Sequence, residues 1–174
     1  MLPYIGIPII GAALLIIRAE RAEPFIILRH EILIVLGYIA AVLDTKSRRI
    51  PNSLVLAMAA IWVLIMIPKL FFDIDAGVAL LADSTLGLLI GGAVFLLVYL
   101  VSRKGLGGGD VKFMAAAGLY LGSRGTLPAM LCGTIIAAFV GLALILLKKI
   151  GRKDAIPLAP FLYAGMLIVL FLGG

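Results

Sequence analysis

Charge is scarce in this 174-residue chain: Asp, Glu, Lys and Arg together make up 14%, against about 25% in an ordinary globular domain. Hydrophobic residues make up 64% and the mean hydropathy is +1.24. Too little polar surface is available to cover a water-soluble fold of this length. A disordered chain and a collagen-like fibre are excluded by the same numbers. There is one cysteine, Cys132, so an intramolecular disulfide and a multi-cysteine zinc site are excluded. There is one histidine, His30, which argues against a His-rich metal centre. No GxSxG occurs, and one His at the start of an apolar run makes a poor base for a serine nucleophile. No internal repeat points to a transporter with inverted halves.

What remains is long apolar runs. A membrane-spanning helix needs about 20 such residues, and the sequence predicts an all-α, polytopic bundle of six or seven spans. Residues 1–17 form a short first span. The next run from 25 to 43, 54 to 72 and 84 to 101. A shorter small-residue segment covers 111–121, a full-length span 126–147, and a last one 156–172. The expected organisation is a single membrane-embedded domain over 1–174, with a core from about 32 onward and an extra N-terminal span. No room is left for a separate soluble domain.

The few cations are sorted. Lys46, Arg48 and Arg49 lie in one loop, Arg103, Lys104 and Lys112 in a second, Lys148, Lys149, Arg152 and Lys153 in a third. Two spans separate each loop from the next, so all three fall on one face. Ten of the fifteen basic residues lie there, and the positive-inside rule makes that face cytoplasmic. The N-terminus then also lies inside. Arg18, Arg21 and Arg29 fit this less well, and Glu20, Glu23 and Glu31 are candidate partners for them on helix surfaces. Gly87 and Gly91, and the stripe Gly133, Ala137, Gly141, suit close helix packing.

Two acidic residues stand apart from the loops. Asp44 ends the run Ile39-Ala40-Ala41-Val42-Leu43. Asp110 follows Gly107-Gly108-Gly109 and opens the segment at Val111. Both fall on the basic face at the hydrocarbon edge, where charge is costly and usually functional. Either one alone is more commonly a helix cap or the partner of a nearby cation. Asp110 has the position of an N-cap, and Asp44 has Lys46 and Arg48 beside it. The three glycines tilt the balance, because they suit a backbone that bends or closely approaches something. The thin helix Ala115-Ala116-Ala117-Gly118 then allows Asp110 to approach Asp44. Two carboxylates at one site cannot both ionise freely and share a proton. One accepts a proton from water while the other polarises a peptide carbonyl. No metal is required.

Asp44 with Arg48-Arg49-Ile50-Pro51-Asn52 resembles the first aspartate motif of bacterial type IV prepilin peptidases. Gly107-Gly108-Gly109-Asp110-Val111-Lys112 resembles their second, the GxGD motif with its lysine. Ile156-Pro157-Leu158-Ala159-Pro160-Phe161 resembles the proline-containing motif of their last helix. The likeness covers about residues 32–174, and the two aspartate motifs in this order are specific. It implies a membrane aspartyl endopeptidase that removes the short basic leader of prepilins and pseudopilins at the cytoplasmic face of the inner membrane. Asp44 and Asp110 are then the catalytic pair. Asn52, Gly107, Gly108, Gly109, Lys112 and Pro157 are candidates to support the site or bind substrate. Arg48 and Arg49 read equally well as positive-inside anchors. The implied partners are prepilin-like membrane substrates and the lipid bilayer, with no nucleic acid, no cofactor and no metal. Larger relatives carry a cytosolic insertion, often with CxxC pairs, associated with N-methylation. No CxxC occurs here, so methyl transfer is not expected. A small transporter or channel that binds cations through the aspartates is the alternative from another class; it places charges at the midplane rather than at span ends.

Overall fold

The computed structural model describes residues 24–102, 106–151 and 156–172. The expected span over 1–17 lies outside the described residues. Five helices follow one another: α1 (Pro24–Ser47), α2 (Asn52–Phe72), α3 (Ile74–Val101), α4 (Gly108–Leu146) and α5 (Ala159–Leu172). No strand occurs among the described residues. Helices α1 to α4 are long and apolar enough to cross a membrane, and α5 is a shorter apolar helix. The all-α polytopic expectation therefore holds.

The ends of the helices have local causes. Pro24 opens α1, where its missing N–H costs nothing. Helix α1 stops at Arg48, which takes a left-handed φ of 51° while its N–H donates to Asp44 O at 2.8 Å. Glycine usually fills such a position, and an L residue there costs roughly 1–2 kcal/mol. Pro51 forces Ile50 away from helical geometry and sets the start of α2. At the other end Asp73 alone joins α2 to α3, accepting the Ala76 N–H at 3.2 Å as an N-cap. Helix α3 thus starts ten residues before the expected 84. The reason is that Asp73 caps and Asp83 is used inside the bundle, so neither marks a loop.

The expected segments 111–121 and 126–147 both belong to α4, and Gly122 breaks it between them with φ 69° and ψ −177°. The chain reverses there. Gly91 of α3 faces both Met114, before the break, and Thr126, after it. Asp83 of α3 holds the turn, accepting the Ser123 N–H at 3.0 Å and its hydroxyl at 2.5 Å. The first arm of α4 packs against α3 almost backbone to backbone at Gly87 and Gly118. The second arm packs against α5, with Gly133 against Leu162 and Gly165 against Ala129. Both stripes of small residues therefore serve close approach, as helices in lipid require when no hydrophobic force drives them together.

Tyr120, Phe113, Met58 and Met130 fill the interior, and the Tyr120 hydroxyl donates to Met58 O at 2.6 Å. Leu56, Leu64, Leu97 and Phe139 point outward, toward lipid. Arg29 departs from its expected surface pairing with Glu31. It is 8% exposed and its charge lies in reach of Asp83. Among the described residues it makes no ion pair with Glu31. Burial inside the bundle won over the local i,i+2 spacing, which does not place two helix side chains face to face.

Candidate functional site

Three chain segments meet at one end of the bundle. They are the α1–α2 connection, the start of α4 and the start of α5. Asp44 occupies the last turn of α1 and is 6% exposed. Its Oδ2 accepts the backbone N–H of Ala159 at 3.0 Å, from the first residue of α5. Pro157 and Pro160 flank that donor and carry no N–H of their own. The N-terminal donors of α5 are thus pared down beside Asp44, and this bond anchors one oxygen of its carboxylate. Neither Lys46 nor Arg48 forms an ion pair with it.

Asp110 is the third residue of α4, after an N-cap at Gly107 that has no side chain to offer. Its own N–H donates to Gly107 O at 3.1 Å, and its carboxylate reaches back toward the Gly107 N–H, as an acid at the third helical position does in a capping box. Oδ2 lies 2.9 Å from where a Cβ on Gly107 would sit, so glycine there makes space for the carboxylate. Gly109 passes Ile50 at ordinary contact distance, and a Cβ on Gly108 would meet nothing within 4 Å. The close-approach reading of the glycine run therefore applies to Gly107, and steric need does not account for Gly108. Oδ1 of Asp110 is buried and has no hydrogen-bond partner.

Asp44 and Asp110 line one cavity of about 230 Å³, together with Arg48, Arg49, Ile50, Gly107, Gly108 and Gly109. The charge of Asp44 reaches Asp110. Pockets that enclose a whole small molecule run to roughly 300–1,000 Å³, so this one admits a short piece of a larger ligand. Asn52 and Lys112 are not in its lining. They bind each other, Lys112 Nζ donating to Asn52 Oδ1 at 3.0 Å, and so tie the start of α2 to the start of α4. Pro157 also lies outside the lining, two residues before the Ala159 donor. Sequence reasoning missed that donor. The signal was present in the two prolines, which leave only Leu158 and Ala159 with an N–H between them. Among the described residues, no three His, Cys, Asp or Glu side chains gather as a metal-ligand set.

Fold and pocket together define a class: a multi-pass helical membrane protein with a two-carboxylate pocket at one end of its bundle. A family model described as the type IV leader peptidase family matches residues 32–146. The chain belongs to that family. Curated relatives carry the name prepilin leader peptidase/N-methyltransferase. The one from Aeromonas hydrophila is 30% identical over 135 residues, covering 74% of this chain and 44% of the relative. That from Legionella pneumophila is 31% identical over 132 residues, covering 75% and 45%. That from Bacillus subtilis is 26% identical over 135 residues, covering 78% and 52%. The chain thus spans about half the length of the curated relatives it matches. No solved structure matches it.

Proposed function

We propose that this protein is an aspartyl endopeptidase of the bacterial inner membrane that removes the leader of type IV prepilin-like proteins at the cytoplasmic face. One observation carries the reading: Asp44 and Asp110, from helices far apart in the chain, line the same small cavity. Family membership supports peptidase chemistry, and the pairing supports its aspartyl form.

The geometry suits a division of labour within the pair. A water between the carboxylates gives a proton to the ionised one and attacks the scissile carbonyl carbon. The protonated one donates its hydrogen to the carbonyl oxygen. Collapse of the tetrahedral adduct breaks the C–N bond, and a proton passes from the pair to the leaving amine. The Ala159 N–H holds Asp44 in place for this. Asp110 Oδ1 has no protein hydrogen-bond partner, so the fold leaves its bonding capacity for the reaction. The glycine run 107–109 presents backbone without side chains, which leaves room for an extended peptide.

The cytoplasmic placement rests on charge. Lys46, Arg48, Arg49 and Lys112 surround the aspartate end of the bundle, and Lys148 and Lys149 follow the helix arm that returns to it. Lys69 and Arg124 lie toward the other end. The positive-inside rule puts the richer end in the cytoplasm. The reading covers leader hydrolysis and does not extend to methyl transfer.

Co-expression with a leader-bearing prepilin tests the reading. The substrate should be shortened at the leader junction. Asp44→Asn and Asp110→Asn should each lower the rate by at least about a hundredfold, the lower range for loss of a general acid or base. Near-normal cleavage by either variant refutes the two-aspartate mechanism.

A further inference from the structure

Among the described residues, Arg29 is the one buried cation. It lies in the second turn of α1, at the opposite end of that helix from Asp44. It is 8% exposed, and its Nε and Nη1 have no hydrogen-bond partner among the described residues. A guanidinium that snorkelled to the headgroups would be exposed. A charge kept inside a membrane bundle is costly and usually functional. Its chain neighbours His30 and Glu31 point elsewhere round the helix. The charge within reach is Asp83 of α3. Helices α1 and α3 do not pack on one another, so this charge is the link between them. Asp83 also holds the reversal of α4, accepting the Ser123 N–H at 3.0 Å and its hydroxyl at 2.5 Å. Both bonds fall on Oδ1, which leaves Oδ2 uncommitted to the clamp.

Helix α1 has two other fixed points. Gly37 meets the Tyr163 ring of α5, where a Cβ would lie 3.0 Å from Cδ2. Asp44 accepts the Ala159 N–H at 3.0 Å. Gly37 therefore divides the helix into two arms, about 12 Å to Arg29 and about 10 Å to Asp44. A tilt about Gly37 that moves Arg29 by about 1 Å moves Asp44 by nearly as much, the other way. We infer that Arg29 is a positioning residue: its charge, answered by Asp83, sets the tilt of α1 and hence the place of Asp44 relative to Asp110. Asp110 rides on the arm of α4 whose far end Asp83 clamps. The effect on cleavage rests on the two-aspartate reading above, whereas the tilt does not.

The test uses the full chain reconstituted in vesicles, with a leader-bearing prepilin as substrate. Arg29→Met keeps most of the side-chain volume and removes the cation. Asp83→Asn keeps an oxygen to cap Ser123 and removes the anion. A displacement of about 0.5 Å at Asp44 lowers kcat by about tenfold, with KM within about twofold, on the scale of a hundredfold for 1 Å. Each variant should show that loss, and the double variant should be no slower than the slower single. Arg29→Lys restores the charge and should cleave faster than Arg29→Met. Arg124→Met, which removes an exposed cation beside the same turn, should cleave as wild type. Spin labels at Lys46→Cys and Val101→Cys, both exposed, with Cys132→Ser, read the tilt at the aspartate end without any need for cleavage. Their distance should shift or broaden by about 1 Å or more in Arg29→Met and in Asp83→Asn. Unchanged distances in both charge variants overturn the inference. So do kcat losses that multiply in the double variant, or an equal loss in Arg124→Met. If Arg29→Met does not fold, Asp83→Asn and Arg29→Lys make the same comparison. If the wild type cleaves no prepilin while the distances respond as expected, the peptidase reading fails and the tilt assignment stands.

Discussion

Replacing Gly118 by alanine tests whether the α3–α4 contact positions the site. A methyl on Gly118 would lie 2.5 Å from Gly87 C and 2.8 Å from Leu88 N. Ordinary contact begins near 3.4 Å, and the atoms opposite are backbone, which has no rotamer to change. The helices must part by about 1 Å to restore normal separation. Overpacking of this kind costs about 1–3 kcal/mol, and the better helix propensity of alanine returns up to about 1 kcal/mol. The expected net loss is roughly 1–2 kcal/mol. On the proposed two-aspartate mechanism the consequence for activity is larger. Asp110 lies eight residues earlier on the same arm, about 12 Å along the axis, and a 1 Å misplacement of a catalytic group costs on the order of a hundredfold. Gly118→Ala should thus lower leader cleavage by about ten- to a hundredfold, beyond what its fraction unfolded explains. Gly92→Ala is the matched control on the facing helix, since its methyl meets only Ala115 Cβ at 3.3 Å. It should be neutral or stabilising by up to about 1 kcal/mol and should cleave normally. Unfolding in detergent and single-turnover cleavage give the two numbers for each variant. Gly118→Ala with wild-type stability and rate would refute the argument that the contact sets the position of Asp110.

Gly122→Ala should be more damaging still, because the left-handed turn costs an L residue about 1–2 kcal/mol and the new methyl would displace Asp83 from its cap on Ser123. A loss of roughly 2–4 kcal/mol in detergent unfolding is expected, and an unchanged midpoint would contradict the turn described at Gly122. Tyr120→Phe deletes the buried hydrogen bond to Met58 O and should cost about 0.5–1.5 kcal/mol. Equal stability of Tyr120→Phe and wild type would show that the hydroxyl contributes nothing across that contact.

Much of this arrangement is readable from residue order, and the misreadings have common physical causes. Apolar runs broken by charge locate α1, α2 and α5 to within a few residues, since lipid tolerates little else in a helix. The run before Asp44 and the glycines before Asp110 identify two chain ends worth bringing together. The start of α3 is missed because the aspartates before residue 84 interrupt the apolar run without ending the helix. Asp73 turns out to be a cap and Asp83 a clamp on a turn forty residues away. Arg29 is missed for the same reason, its electrostatic partner being on another helix. The Ala159 donor belongs to the backbone and meets Asp44 across 115 positions. Residue identity does not encode such a bond except through the prolines on either side.

The reversal at Gly122 also bears on how the molecule sits among lipids. Twelve residues separate Asp110 from Gly122, about 18 Å of helix, whereas the hydrocarbon of a bilayer is about 30 Å thick. The arm turns back before it has crossed. Among the described residues, this arm ends at Ser123 level with Asp83, nine residues inside the start of α3 at Ile74. A short hydrophobic arm of this kind is a source of mismatch with the bilayer, and mismatch ties a protein's stability to the thickness of its membrane.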